Sequence, residues 1–313
     1  MRRKVIQIAD STQLVSLPRK WALKYGIKKG DEIEVEEKGS SLVISTEKGR
    51  EKGSIEIDIS NLDRDSLMFL IRCLYIKGYD EIKLNFTNTT APHHKKSEAV
   101  SVMSAIYEEV RRISGLEVIS HEEHSCTIKD IAQGSISEFD VVLRRIILLM
   151  LSAINDLYRG STESNSPLLE SINDKHDTLT KFISYNMRLL NKYTYPQEEK
   201  NTSLYTTLSS LDEVIDIVKY TARYLLALKG KLSDETASLM TDIAEELKLY
   251  SDFFYKYDLK ILEKISGNRT KIMNKIAAAM NKITKQETFV LVNLGQILEI
   301  ITHLTLARIT MEH

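Results

Sequence analysis

Residues 16–45 read SLPRKWALKYGIKKGDEIEVEEKGSSLVIS. Pro18 is placed to open a helix, because a proline's fixed φ and missing N–H cost nothing in a first helical turn. The helix runs to about Tyr25, and Gly26 closes it. Ile27-Lys28-Lys29-Gly30-Asp31 then makes a turn into the alternation of Ile33 and Val35, and Gly39-Ser40-Ser41 a second turn before Leu42, Val43 and Ile44. Upstream, Val5, Ile6 and Ile8 form one short apolar strand, and Leu14, Val15 and Leu17 another. Four short strands and one short helix offer few side chains for a core, so residues 1–48 are marginal alone. A dimer is expected.

Charge sets this segment apart. The chain as a whole carries 43 Lys and Arg against 44 Asp and Glu, a formal charge of −1, so a role on a polyanion requires a local patch. Residues 1–30 supply one: Arg2, Arg3, Lys4, Arg19, Lys20, Lys24, Lys28 and Lys29 face only Asp10, a net +7. Cations neutralise backbone phosphates, and arginine can also read guanine edges. Arg2, Arg3, Lys4, Arg19, Lys20 and Lys24 are the candidate DNA contacts. Trp21, the sole tryptophan, reads as a core residue rather than a platform for a base.

Beyond residue 48 the period changes twice. Residues 54–131 read as a small α/β domain: 55–59 alternates, 65–78 has helical spacing, 81–86 alternates again, 95–115 reads as a second helix, and 116–120 and 126–131 close it as strands. That order implies one sheet with helices over one face. No Gly-rich phosphate loop follows any of these strands, so a nucleotide site is not expected here. From about residue 136 the apolar spacing becomes three and four over long stretches, as in Phe139, Val142, Leu143, Ile146, Met150, Ile154 and Leu157. Breaks divide residues 136–313 into about six helices and two approximate halves, 136–229 and 230–313. In each half the third helix has a related rhythm, LDEVIDIVKY from Leu211 and LGQILEIITH from Leu294, which suggests a duplicated three-helix unit.

Composition removes several classes. A chain of 313 residues exceeds one typical domain, and 42% hydrophobic residues exclude a disordered chain. Cys73 and Cys126 are too few for a disulfide framework and read as small buried apolar residues, which suits a reducing cytoplasm. The start MRRKVIQIADS has no apolar signal region. The longest apolar run, residues 146–151, falls far short of the roughly 20 residues that cross a bilayer. His121 and His124, with Glu122 and Glu123, read as a solvated turn, and His93-His94-Lys95-Lys96 as an exposed loop.

The stretch 16–45 resembles the AbrB and SpoVT swapped-hairpin DNA-binding modules, marked by a strand, a Pro-started helix, then G-I-x-x-G-D and two strands. The resemblance implies an obligate intertwined dimer presenting basic residues to DNA; relatives of this fold also serve as dimerisation or antitoxin modules. The helical part resembles the PhoU family, built as two three-helix repeats, and the order of module, α/β middle and bundle is similar to archaeal phosphate-uptake regulators. Residues 126–156, CTIKDIAQGSISEFDVVLRRIILLMLSAIND, carry the likeness at the join. Members of that family hold metal on acids four apart, and Asp212 and Asp216 match its L-E-R-I-x-D pattern at the acids. On the preceding helix Asp177 keeps an acid where Asn173 has lost one; in the second repeat Gly295 replaces the first acid and Glu299 keeps the second. The resemblance therefore offers Asp177, Asp212 and Asp216 as ligands for iron or zinc. On a helical wheel Lys219 and Arg223 fall on the same strip as Asp212 and Asp216, so an intrahelical ion-pair ladder competes with the metal reading.

The fold expected is multidomain and mainly α: a swapped-hairpin β module, a small α/β domain and an all-α bundle. The expected function is a dimeric cytoplasmic regulator of phosphate uptake that binds double-stranded DNA through the N-terminal module. The bundle senses phosphate status through a partner, which the resemblance suggests is the ATPase of a phosphate ABC transporter. The alternative is a non-DNA-binding adaptor that controls a transporter or a metabolic enzyme by contact. No Ser-His-Asp or Cys-His arrangement supports an enzyme.

Overall fold

The left-handed backbone of Gly26 and Gly30, at φ 63° and 96°, shapes the first of two compact units, residues 1–53. The computed structural model describes residues 3–8, 12–38, 41–45, 53–132, 134–193, 195–228 and 232–313. Within the first unit, β1 (Val5–Ile8) pairs antiparallel with β2 (Thr12–Val15), and β3 (Glu34–Lys38) with β4 (Ser41–Ser45). Between the hairpins lies α1 (Arg19–Lys24), with Pro18 as its N-cap. Its end is closed by two bonds that need a left-handed residue after the cap: Ile27 N–H donates to Ala22 O at 2.9 Å and Gly26 N–H to Leu23 O at 3.3 Å. Leu17 falls outside β2, in the two-residue approach to that cap. Each hairpin pairs only with itself, and none of the unit's described side chains is buried.

The second unit, residues 54–313, contains two hydrophobic cores. The smaller lies under a four-stranded sheet of order β5-β6-β10-β9, made of β5 (Ser54–Asp58), β6 (Glu81–Asn85), β9 (Leu116–Glu122) and β10 (Ser125–Asp130). β5 and β6 run parallel and are joined by α2 (Arg64–Lys77), capped at its start by Asp63; the other pairs are antiparallel. The expected helix over 95–115 is corrected. Residues Thr90–His93 and Glu98–Ser101 form an antiparallel hairpin, β7 and β8, and α3 covers only Val102–Arg111. The Ser101 side chain accepts from Ser104 N–H at 3.4 Å and so starts the helix there, while the strand pairing takes the backbone of the preceding residues.

The larger core is the bundle: α4 (Phe139–Thr162), α5 (Ser166–Lys192), α6 (Asn201–Ala227), α7 (Asp234–Tyr255), α8 (Leu259–Ala279) and α9 (Lys285–Glu312). α6 buries Leu211, Val214, Ile215 and Val218; α9 buries Leu294, Ile297, Leu298 and Ile301. The offsets are identical, and these two third helices pack against one another at the centre. By length and composition α9 could cross a membrane, but its apolar stripe packs on α6 and α7 as a core helix does. Its start is fixed by a capping box between Thr284 and Glu287, and the Glu287 carboxylate also accepts from Ser233 and Thr236 at the start of α7.

One side chain ties the sheet layer to the bundle. Arg188 of α5, 2% exposed, donates to the carbonyls of Tyr75 and Tyr79 at 2.7 and 2.9 Å, to Asp80 at 2.8 Å and to Asp130 at 2.7 Å. Its guanidinium also lies 4.7 Å from the centre of the Tyr75 ring. Beside it Asn191 donates to Ile76 O, and Lys192 pairs with Asp80. All of these acceptors sit at the end of α2 and the ends of the neighbouring strands, so the two cores are joined by satisfied polar groups rather than by apolar area alone.

Candidate functional site

The N-terminal cations sit on short elements with no core beneath them. Arg3 and Lys4 are exposed just ahead of β1, and Arg19, Lys20 and Lys24 are exposed on α1. Arg2 lies outside the described residues. Lys20 and Lys24 are four apart and so share one face of the helix. Trp21 and Tyr25, also four apart, are both partly buried with ring centres 5.5 Å apart, and the Lys24 ammonium lies 5.5 Å from the centre of the Tyr25 ring. The apolar side chains are as open as the cations: Val5 is 59% exposed, Leu23 71% and Leu42 66%. This unit therefore presents exposed cations together with exposed apolar side chains that its own described residues do not cover.

Asp177, Asp212 and Asp216 are gathered around one buried histidine. His176, on α5, bonds Asp177 Oδ1 through Nδ1 and Asp216 Oδ1 through Nε2, both at 2.9 Å. The Lys219 ammonium lies 2.8 Å from the same Nε2 and 2.5 Å from Asp216. Arg112 of α3 donates to Asp177 at 2.8 Å, and Thr180 to Asp212 at 3.3 Å. Burial lowers the His176 pKa, but the bonds to the two carboxylates outweigh it and leave the ring above its ordinary value. Burial also opposes ionisation of Asp216, yet His176 and Lys219 hold it down to about 2. Asp212 is pushed up, by burial first and then by the Asp216 charge.

This donor set does not suit the iron or zinc that the family resemblance implies. Among the described residues, no group of three His, Cys, Asp or Glu side chains is placed to hold a metal. Asp177 already pairs with Arg112 and Asp216 with Lys219, and burial raises the pKa of Asp212. The second repeat makes the same arrangement with different residues. His176 lies four residues after the buried Ile172, and Arg269 lies four after the buried Ile265. Arg269 grips Glu299 with two bonds of 2.6 and 2.8 Å, and Glu299 stands where Asp216 stands, five residues after the leading leucine. In both repeats a nitrogen-bearing side chain on the middle helix therefore meets an acid on the third. Of the ladder foreseen on α6, only the rung between Asp216 and Lys219 forms, because Arg223 turns to the amide oxygen of Asn173 at 2.9 Å.

Other readings change more simply. Cys126 is fully buried, but Cys73 is exposed: it lies on the solvent side of α2, whose apolar stripe is Leu67, Ile71, Leu74 and Tyr75. His121 and His124 are exposed around the β9–β10 turn, where Glu122 accepts from Ser125. His93 is buried on β7, whereas His94, Lys95 and Lys96 are exposed in the turn that follows. His176 and Arg188 carry more of the polar architecture than the sequence suggested. Only His176 left a signal, as the polar residue between Ile172 and Leu179 on the apolar stripe of α5, whereas Arg188 shares its strip with Ser184, Asn191 and Lys192 and does not interrupt that stripe.

Residues 6–52 match the family model described as antidote-toxin recognition MazE, a bacterial antitoxin. No curated protein matches the chain at a significant level. Among solved structures, the chain is similar to the phosphate transport system regulatory protein PhoU from Streptococcus pneumoniae. The TM-score is 0.47 and the identity 15%, over 56% of this chain and 94% of that one. The chain thus joins an N-terminal module similar to MazE-type antitoxins to an α/β layer and a six-helix bundle.

Proposed function

We propose that this protein is a dimeric cytoplasmic regulator of phosphate homeostasis that binds double-stranded DNA through residues 1–48. The observation that carries the reading is the pairing, in one small unit, of an exposed basic face with apolar side chains that have no core to enter. A second copy of the unit answers both needs: it covers Val5, Ile6, Leu14 and Val15, and it doubles the charge on the face that meets phosphates. Arg2, Arg3, Lys4, Arg19, Lys20 and Lys24 are the proposed backbone contacts, with the arginines able to reach base edges. The family model over residues 6–52 and the sequence resemblance of residues 126–156 to the PhoU family support the regulatory role. On that reading the bundle meets a phosphate-transporter ATPase, and the two ligands are coupled only if the partner binds the DNA-bound and free forms unequally.

Retardation of the protein's own promoter, or of a phosphate-transporter promoter, tests the reading. Log K should fall linearly with log salt, and changing Arg19 and Lys20 together to Ala should flatten the slope by roughly 0.9 for each phosphate no longer neutralised. Failure to retard any such fragment at low salt would remove the DNA reading. A second reading is favoured by the family description, which concerns recognition of a toxin protein. The module would then be a dimeric protein clamp, and the Arg19 and Lys20 double variant would leave phosphate-dependent growth unchanged.

A further inference from the structure

Between the sheet layer and the bundle opens a cleft of about 1050 Å³. Six cations from four segments face it: Arg64 of α2, Lys95 of the β7–β8 turn, Arg111 and Arg112 of α3, and Lys219 and Arg223 of α6. Only two carboxylates line it, Glu108 and Asp177, in a chain whose formal charge is −1. Several of the cations are neutralised: Arg64 by Asp65 and Glu108, Lys95 by Asp65, Arg112 by Asp177 and Lys219 by Asp216. Arg111 and Arg223 are not. Among the described residues no carboxylate lies within ion-pair distance of either, and the one polar partner of Arg223 is the neutral amide of Asn173. Two guanidiniums thus stand at the wall of one concave site with no carboxylate partner, both exposed, so that their planar donor forks are open to an anion.

The walls also carry two tyrosines, Tyr107 at 38% and Tyr220 at 48% exposure. Tyr107 stands one helical turn before Arg111 and Tyr220 one turn before Arg223, so each tyrosine shares a helix face with one of the two arginines. Lys219 lies 4.7 Å from the centre of the Tyr220 ring. A volume of this size matches a small-molecule site of the larger kind, about 1,000 Å³, and greatly exceeds a single phosphate ion. Rings on the wall are of no use to an inorganic chain of phosphates, but offer a planar base a surface on which to stack. We propose that this cleft binds a nucleoside di- or triphosphate, its phosphates held by Arg111 and Arg223 and its base against Tyr107 or Tyr220. The site contains no Gly-rich loop, so charge and stacking, rather than backbone amides, supply the recognition. Nothing in this proposal depends on the N-terminal unit or on DNA.

Titration calorimetry of the full chain with ATP, ADP, AMP, tripolyphosphate and inorganic phosphate, at low salt and without added metal, tests the site. ATP and ADP should bind, AMP and tripolyphosphate at least about tenfold more weakly, and inorganic phosphate without measurable heat. Arg111→Ala with Arg223→Ala should lower ATP affinity at least about tenfold while leaving the thermal transition and helical content unchanged, since neither side chain holds an ion pair. Tyr107→Ala and Tyr220→Ala together should weaken ATP but not tripolyphosphate. Absence of ATP binding, or equal affinity in the double arginine variant, would overturn the site. Tripolyphosphate binding as tightly as ATP would overturn its assignment to a nucleoside. Loss of DNA retardation with ATP binding intact would end the DNA reading alone.

Discussion

Leu208 in the bundle and Ile6 in the N-terminal unit are both aliphatic side chains on regular elements, yet Leu208 is fully buried and Ile6 is 57% exposed. The contrast extends to their surroundings. Helices α4 to α9 bring enough apolar faces together to close a core within one chain. Two hairpins that pair only with themselves cannot, because a two-stranded ribbon has two faces and no layer to cover either. Residues 54–313 therefore close their cores within the single chain, whereas the described residues of 1–53 do not, and on the proposed reading a second copy supplies the cover.

The largest test of that contrast is Arg188→Ala. It leaves Asp130 and Asp80 without their main buried partner, so a loss of about 3–5 kcal/mol is expected in denaturant unfolding of residues 54–313. The loss should not vary with protein concentration. A variant as stable as the parent would mean that the two cores are not joined through this residue. Ile6→Ala makes the opposite case, with about 1–2 kcal/mol per copy expected in sedimentation measurements of self-association and no change in the main unfolding transition. A concentration-independent effect would show that the unit folds alone.

Two smaller tests concern pH. Asp216 and Glu287 are each held near pKa 2, Glu287 against the cost of its burial by bonds from Ser233, Thr284 and Thr236. Their folded values lie below their unfolded ones, so the stability they confer is complete above about pH 4.5 and disappears as pH falls towards 2. Glu287→Gln should therefore be less stable than the parent at pH 7, with the difference closing by about pH 2 in thermal melts. The smallest effect belongs to His176, whose folded pKa is raised. Its contribution is full below its ordinary value of about 6.5 and is lost as pH rises through the folded value. Imidazole resonances of His176 should titrate above the ordinary histidine value of about 6.5; titration at that value would remove the bonds to Asp177 and Asp216.

Much of this was legible in the residues. Pro18, Gly26 and Gly30 announce the helix and turns of the first unit, because only a few residue types tolerate those backbone angles. The stripes from Leu211 and Leu294 announce α6 and α9, since burial on one face imposes a period of about 3.6. The hairpin at residues 90–101 was not legible: its short strands have too few alternations to outweigh helical spacing in the same window. The acids at 177, 212 and 216 were found as a group, and Lys219 was legible beside them because it shares α6 with Asp212 and Asp216. The roles of His176 and Arg112 were not, because nothing in one helix's periodicity tells which side chain of another element will reach it.

The sequence by itself determined most of the strands and helices, the cationic character of residues 1–30 and the want of a core in the N-terminal unit, because local backbone preference, charge and apolar content are properties of the chain read in order. Only the tertiary structure decided that Arg188 would fasten the sheet to the bundle, that Arg112 would take up Asp177, and that Arg111 and Arg223 would share a cleft with no carboxylate in ion-pair reach of either. Those outcomes depend on distances between residues dozens of positions apart. Electrostatic partnership falls off over a few ångströms of space and is blind to separation along the chain.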